Sequence, residues 1–168
     1  MIILGIDPGT ATTGFGIIKK RKSHAFEVLE FGIISTAKNL SDAERLGILG
    51  YDLETLIKKF NPAIAGVEKL FFTTNQKTAM TVAQARGVVI AKLFNNNIAT
   101  HEFTPLQVKN TICGYGKASK HQVQFMVKKM FRLQETPKPD DAADALAVAL
   151  CTGLYAPQLT PKRGDNTL

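Results

Sequence analysis

Residues 2–7 have the sequence Ile-Ile-Leu-Gly-Ile-Asp. An uninterrupted apolar run that ends in an acid is typical of a strand buried on both faces of a sheet. Two β-rich stretches follow at residues 14–20 and 25–35, on either side of a basic tip, Lys19-Lys20-Arg21-Lys22. The opening of the chain is therefore predicted to be a three-stranded antiparallel meander.

Helical and extended segments alternate after the meander. Ser41-Asp42-Ala43-Glu44 is a capping-box motif, and helical spacing of apolar residues continues from it to Asn61-Pro62. Further strands are predicted at 63–68 and 98–103, and further helices at 77–95, 106–113, from 119 onward and at 140–155. The pattern predicts one α/β domain over residues 1–155, in which helices flank a mixed five-stranded sheet, and a short flexible tail over 156–168.

Length and composition limit the class of protein. A chain of 168 residues fits one domain, and 45% hydrophobic residues are enough for a packed core. No apolar stretch approaches the ~20 residues of a membrane span, and the opening run is too short for a secretion signal. Cys113 and Cys151 have neither disulfide-framework nor metal-site spacing. The sequence therefore predicts a cytosolic protein with no membrane contact.

The charge indicates a polyanionic partner. The chain has 21 Lys and Arg residues against 14 Asp and Glu residues, which gives a net charge of +7. Between Pro105 and Pro139, seven cationic residues are accompanied by a single acid, Glu135. This density favours nucleic acid as the partner, and a basic surface that serves only solubility is the alternative.

Acidic residues occur at the ends of several predicted elements. Asp7 and Glu68 end predicted buried strands, and the first and fourth strands of a mixed sheet can be neighbours. The last helix begins with Asp140 and Asp141, and Asp144 follows one turn later. Residues three or four apart share a helix face, so either Asp141 or Asp140 can accompany Asp144. In both cases the helix can bring two carboxylates to the two strand ends.

Four clustered carboxylates repel one another unless cations compensate them. Mg²⁺ prefers such oxygen ligands, and two ions about 3.5–4 Å apart can activate a water and stabilise the leaving oxygen of a phosphodiester. An acidic pocket in a basic shell thus indicates a metal-dependent nuclease. The individual acids have simpler explanations, because acids favour the first turn of a helix and an aspartate before Pro-Gly is common in turns.

The turn after the first strand permits a second interpretation. Residues 7–14, Asp-Pro-Gly-Thr-Ala-Thr-Thr-Gly, resemble the phosphate loop of the actin and sugar-kinase ATPase superfamily, in which backbone amides and a threonine hydroxyl bind phosphate. Those ATPases bind nucleotide between two domains and usually exceed twice this length. An ATPase fragment is therefore the alternative to the nuclease.

Several short motifs follow one another in a fixed order from Ile3 to about Leu150. They are Gly5-Ile6-Asp7-Pro8-Gly9 with Gly14-Phe15-Gly16, Glu68-Lys69-Leu70-Phe71-Phe72, Gln84-Ala85-Arg86-Gly87-Val88, Gln107-Val108-Lys109, Gln122-Val123-Gln124 with Met126-Val127, and Asp141-Ala142-Ala143-Asp144-Ala145-Leu146-Ala147. This ordered set resembles the RuvC Holliday junction resolvases of bacteria, which have a ribonuclease H-like fold. The resemblance implies a structure-specific endodeoxyribonuclease of homologous recombination and DNA repair. Its homodimer nicks two opposing strands of a four-way junction and leaves 5′-phosphate and 3′-hydroxyl ends.

The resemblance also assigns residues. It implies that Asp7, Glu68, Asp141 and Asp144 are the catalytic and metal-binding carboxylates, with Mg²⁺ or Mn²⁺ as two ions per site. It implies DNA contacts by Lys109, Lys120 and Phe71, a dimer interface on the helix over 77–95, the RuvA-RuvB branch-migration complex as a partner, and a location in the bacterial cytoplasm. A junction-binding module without catalysis and an enzyme for RNA–DNA hybrids remain as alternatives.

Overall fold

The computed structural model describes residues 1–21, 25–69 and 76–155, and the side chains of residues 76–78 are not considered. One sheet contains five strands in the order β3-β2-β1-β4-β5. The first three strands are antiparallel, whereas β4 and β5 run parallel to β1. The strands are β1 (Ile2–Asp7), β2 (Thr12–Lys20), β3 (Phe26–Ser35), β4 (Ile64–Glu68) and β5 (Ala99–Phe103). The predicted α/β fold with a mixed five-stranded sheet is confirmed.

Five helices cover the two faces of this sheet. They are α1 (Asp42–Phe60), α2 (Gln76–Asn95), α3 (Pro105–Cys113), α4 (Lys120–Met130) and α5 (Asp140–Tyr155). Capping boxes begin three of them, at Ser41 for α1, Thr104 for α3 and Ser119 for α4. These local signals explain why the helices begin within one residue of the positions predicted from the sequence. Within the described ranges, no helix has the length and apolar character that crossing a membrane requires.

Alternating side chains of the buried strands form two hydrophobic cores. Ile3 and Ile18 belong to the core beneath α3, α4 and α5, whereas Leu4 and Ile17 belong to the core beneath α1 and α2. Successive residues of a strand point to opposite faces, so a strand covered on both sides is apolar throughout. Residues 2–6 form a continuous apolar run because helices cover both faces of β1.

Helix α5 lies unusually close to the sheet because glycines face it. A Cβ atom added at Gly5 would stand 2.2 Å from the carbonyl oxygen of Ala145, and one added at Gly14 would stand 2.0 Å from the carbonyl oxygen of Asp141. These distances exclude any side chain larger than hydrogen unless the helix moves. The glycines therefore fix the position of the first turn of α5 over the end of β1 and the start of β2.

Lys19, Lys20 and Arg21 lie at the opposite end of the sheet from Asp7, because β2 runs antiparallel to β1. Lys20 donates a hydrogen bond to the carbonyl oxygen of Gly153 at 2.6 Å, close to the C-terminal end of α5. Arg21 forms an ion pair with Glu27 on β3. These two cations therefore join elements at the end of the sheet that is remote from Asp7 and Glu68.

Candidate active site

Two carboxylates lie side by side where β1 and β4 end. Asp7 pairs in register with Gly14 of β2, and Glu68 follows the parallel pair of Ile6 and Val67. Alternate residues of a strand share a face, so Asp7 points to the same side as Gly5 and Glu68 to the same side as Gly66. Added Cβ atoms at both glycines would collide with α5. Both carboxylates therefore project towards α5.

Two further carboxylates come from the beginning of α5. Asp141 lies in the first turn of the helix, and its backbone packs against Gly14. Asp144 follows one turn later and is half-buried. Asp141 and Asp144 both act electrostatically on Asp7, whereas the carboxylate of Asp140 bonds to residues of α4. Of the two helix pairings that spacing alone leaves open, the electrostatic influence on Asp7 favours Asp141 with Asp144.

Burial and mutual repulsion change the acidity of this cluster. Burial is the largest cause that raises the pKa of Asp7 to about 9, and the negative charge of Glu68 adds to it. Asp7 and Glu68 lie close enough together that each changes the pKa of the other. Burial also raises the pKa values of Glu68 and Asp144, although nearby lysines oppose the rise. The cluster holds more negative charge than the protein compensates by itself.

Two of the acids, Glu68 and Asp144, line a cavity of about 210 Å³ together with two lysines. The Lys120 Nζ atom lies 3.0 Å from Asp144 Oδ2 and 3.3 Å from Asp140 Oδ2. Burial alone would lower the pKa of Lys120, but the two carboxylates outweigh it and raise that pKa. Lys109 of α3 lines the same cavity. The full lining is Glu68, Pro105, Val108, Lys109, Lys120, Val123, Asp144 and Ala147.

The donor set suits a hard divalent cation. All four side chains offer carboxylate oxygens, which Mg²⁺ and Mn²⁺ prefer, and an added cation would relieve the repulsion that raises the pKa of Asp7. In the part of the chain that the structure describes, no three acidic, histidine or cysteine side chains converge closely enough to hold an ion as they stand. Ion binding therefore requires these carboxylates to rotate towards a common centre.

In the turn after β1, two of the three threonine hydroxyls bind the protein's own backbone. The Thr10 hydroxyl donates to the carbonyl oxygen of Thr81 in α2 at 2.6 Å, and the Thr13 hydroxyl donates to the carbonyl oxygen of Gly9 at 2.6 Å. Thr36 in turn donates to the carbonyl oxygen of Thr10 at 2.8 Å. These bonds hold the turn next to Asp7. Its polar groups therefore stabilise the fold, which argues against the ATPase interpretation.

A fifth acid near the same sheet edge points away from the site. Glu102 of β5 pairs in register with Val67 of β4, and the next pair along the two strands is Phe103 with Glu68. Phe103 belongs to the core under α5, so Glu102 faces α2, where it forms an ion pair with Arg86. Arg86 is thus half-buried and paired with an acid.

Sequence reasoning missed the contacts of Asp140 with α4. Gln124 donates a hydrogen bond to Asp140 at 3.1 Å, and Lys120 forms an ion pair with the same carboxylate. The spacing of Lys120 and Gln124 places both on one face of α4, but it does not indicate that Asp140 meets that face. Phe71 and the tail over 156–168 lie outside the described residues, so their predicted roles are not placed here.

Comparison with known proteins identifies the family. The family model for crossover junction endodeoxyribonuclease RuvC matches residues 3–152. A relative of that name from Caldicellulosiruptor saccharolyticus is 49% identical over 151 residues, which cover 90% of this chain and 91% of the relative. The solved structure of Thermus thermophilus RuvC aligns with a TM-score of 0.86 at 31% identity, and covers 94% of this chain and 96% of that chain. The structure of T. thermophilus RuvC in complex with a Holliday junction substrate aligns with a TM-score of 0.85 at 28% identity and the same coverage. The resemblance in the sequence is thereby confirmed, and the chain belongs to the RuvC family of crossover junction endodeoxyribonucleases.

Proposed function

We propose that this protein resolves four-way DNA junctions in homologous recombination and DNA repair, by metal-dependent nicking of two opposing strands. One observation supports the proposal most directly: Asp7 and Glu68, at the ends of β1 and β4, face the start of α5, where Asp141 and Asp144 act electrostatically on Asp7, beside a cavity that Lys109 and Lys120 help to line. Membership of the RuvC family supports it, since a T. thermophilus member forms a complex with a Holliday junction substrate.

The four carboxylates are proposed to hold two ions of Mg²⁺, for which Mn²⁺ can substitute. When bound, such ions activate a water and stabilise the leaving oxygen of the phosphodiester. Burial of Asp7 and Glu68 strengthens their attraction for cations, because water screens charges less in a partly enclosed site. The reaction breaks the bond between phosphorus and the 3′ oxygen, so the products carry 5′-phosphate and 3′-hydroxyl ends.

DNA contacts are proposed for Lys109, Lys120 and Phe71. Both lysines line the cavity next to the acids, where an ammonium group can neutralise a phosphate of the bound strand. Phe71 follows Glu68 by three residues. In that position an aromatic ring can stack on an unpaired base near the crossover, which contributes about 1–3 kcal/mol per base.

A homodimer is proposed because two opposing nicks need two active sites. The outer face of α2 supports it, with exposed small residues at Ala83, Gly87 and Ala91 between two large exposed side chains. Met80 is 67% exposed and Phe94 is 75% exposed. Small residues let two helices approach closely while the large side chains pack at the ends.

Ala83→Glu should convert the dimer to a monomer in sedimentation velocity, and an unchanged dimer would exclude this face.

Three further assignments complete the proposal. Residues 1–155 form one nuclease domain followed by the tail over 156–168, the protein acts with the RuvA-RuvB branch-migration complex, and it works in the bacterial cytoplasm. Family membership supports the last two assignments. Limited proteolysis tests the first, since the proposal expects cleavage within the tail to leave a resistant fragment that ends near Tyr155.

The central test is a cleavage assay with Mg²⁺ on three labelled substrates: a four-way junction, a linear duplex and an RNA–DNA hybrid. Wild type should nick the junction symmetrically, and Asp7→Asn should bind the junction without cutting it. Binding by wild type without cleavage, with Mn²⁺ as well as Mg²⁺, would indicate a junction-binding module. Preferential cutting of the hybrid would show that the proposed substrate is wrong, although the proposed active site could remain the same.

A further inference from the structure

Helices α4 and α5 are joined at the mouth of the cavity through one carboxylate. Asp140 Oδ2 lies 3.3 Å from Lys120 Nζ, and Asp140 Oδ1 accepts a hydrogen bond from Gln124 Nε2 at 3.1 Å. Lys120 and Gln124 are four residues apart and therefore share one face of α4. Each oxygen of Asp140 thus has its own partner on that face, and the carboxylate is fixed between the two side chains.

Both partners on α4 depend on this acid. Gln124 is only 7% exposed, and a buried amide needs a hydrogen-bond partner. Lys120 is the first residue of α4, where the helix dipole disfavours a cation, and the first turn of α4 contains no acidic residue of its own. Asp140 supplies from α5 the negative charge that the start of α4 lacks.

The Lys120 ammonium consequently stands between two carboxylates of α5. Asp140 holds it at 3.3 Å and Asp144 at 3.0 Å. The two acids are four residues apart, so they lie one above the other on the helix. The Lys120 side chain is 49% exposed, and without the first acid it would have a single anchor. A long exposed lysine with one anchor samples solvent-directed rotamers.

We propose that Asp140 is a positioning residue for cleavage: together with Gln124, it holds the Lys120 ammonium next to Asp144 at the mouth of the active site. The proposal rests on the nuclease function proposed above. The proposal predicts that loss of Asp140 changes junction binding and the rate of cleavage in opposite directions. Loss of Asp140 removes a negative charge from a DNA-binding surface, which favours binding, but it also disperses Lys120, which slows cleavage.

Single-turnover cleavage and junction binding, measured on the full-length protein, test this separation. Asp140→Ala should cut a four-way junction about 10-fold more slowly, within the roughly 100-fold loss that a misplaced group can cause. It should bind the junction at least as tightly as wild type. Asp140→Asn keeps an acceptor for Gln124 and removes only the charge, so it should fold normally and show the same slower cleavage.

Glu135→Ala is the matched control. Glu135 is an exposed acid in the loop between α4 and α5, and it is not an ion-pair partner of Lys120. Its removal changes the net charge by the same amount, so it should tighten binding without slowing cleavage. If Asp140→Ala and Asp140→Asn cleave at the rate of Glu135→Ala, the positioning role is wrong.

A second measurement needs neither metal nor DNA. Acylation of lysines, followed by mass spectrometry, reports how freely each ammonium reaches solvent, and the exposed Lys117 serves as the internal reference. Asp140→Ala should raise the acylation rate of Lys120 relative to Lys117 by about threefold, as expected for loss of a weak ion pair. An unchanged ratio overturns the proposal. Failure of the proposed nuclease function can be told apart from failure of the positioning role, because in the first case wild type itself would leave the junction uncut.

Discussion

Glu68 and Glu102 lie at the same edge of the sheet, on neighbouring parallel strands, yet their surroundings differ completely. Glu68 is in register with Phe103, and Glu102 is in register with Val67, so the two acids differ by one position. Glu68 faces α5, where it meets Asp7 and burial raises its pKa. Glu102 faces α2, where it is paired with Arg86.

A shift of one position along the strand is therefore enough to move a glutamate from the proposed active site to an ion pair that stabilises the fold. Side chains of a strand alternate between faces, so one position determines which helix an acid meets. On the α5 side, glycines admit a helix that carries further acids. On the α2 side, an arginine neutralises the acid. The same residue type at the same sheet edge therefore has a catalytic role proposed in one case and a structural role in the other.

Substitution of the two glutamates should separate these roles most strongly. Glu68→Gln should reduce junction cleavage by about 1,000-fold or more while the fold persists, because one of four proposed metal ligands is lost. Glu102→Gln should cleave within a few-fold of wild type but lose about 1–2 kcal/mol of unfolding free energy, because it leaves the half-buried Arg86 unpaired. Cleavage assays and urea denaturation measure both effects. Equal loss of cleavage in the two variants would contradict the comparison.

The close approach of α5 can be disturbed directly at Gly14. Gly14→Ala would place a Cβ atom 2.0 Å from the carbonyl oxygen of Asp141, so the first turn of α5 must move. We expect a loss of about 1–3 kcal/mol in unfolding free energy and slower cleavage, because Asp141 moves with the helix. Gly47→Ala is the control, since an added Cβ in that part of α1 meets nothing within 4 Å. The control should gain about 0.5–1 kcal/mol from helix propensity.

The raised pKa of Asp7 predicts a dependence of stability on pH. Its folded pKa of about 9 lies above the ordinary value of 3.8, so the folded state binds the proton more tightly. This contribution to stability is complete below the ordinary value and is lost as pH rises towards 9. Thermal melts without divalent ions should show wild type losing stability relative to Asp7→Asn between about pH 5 and about pH 8.5. Added Mg²⁺ should restore wild type most at the higher pH, and a constant difference between the proteins would contradict the raised pKa.

The smallest expected effect concerns phosphate contacts. Lys109→Ala should weaken junction binding and reduce the slope of log K against log salt concentration by about one. Lys58→Ala, at an exposed position of α1 in the opposite layer, should leave the slope unchanged. Fluorescence anisotropy over a salt series measures both. Identical slopes for Lys109→Ala and wild type would exclude a phosphate contact at Lys109.

Local signals in the sequence were sufficient for the elements of the fold. The apolar run at residues 2–6, the capping boxes and the turn residues each act over a few positions, so they predicted every strand and helix described here. They also predicted that acids end β1 and β4. The contact of Asp140 with Lys120 and Gln124 escaped because it depends on how α4 packs against α5. No short-range pattern reports the distance between two helices.

The sequence by itself determined which residues are apolar, where elements begin and end, and that carboxylates stand at those ends. It also limited the acids of α5 to two pairings, because helical spacing is a local property. The tertiary structure decided between the pairings, chose the face to which each glutamate points, and set α5 against Gly5 and Gly14. The reason is physical: periodicity arises within a segment, whereas strand register and helix docking depend on contacts between segments far apart in the chain.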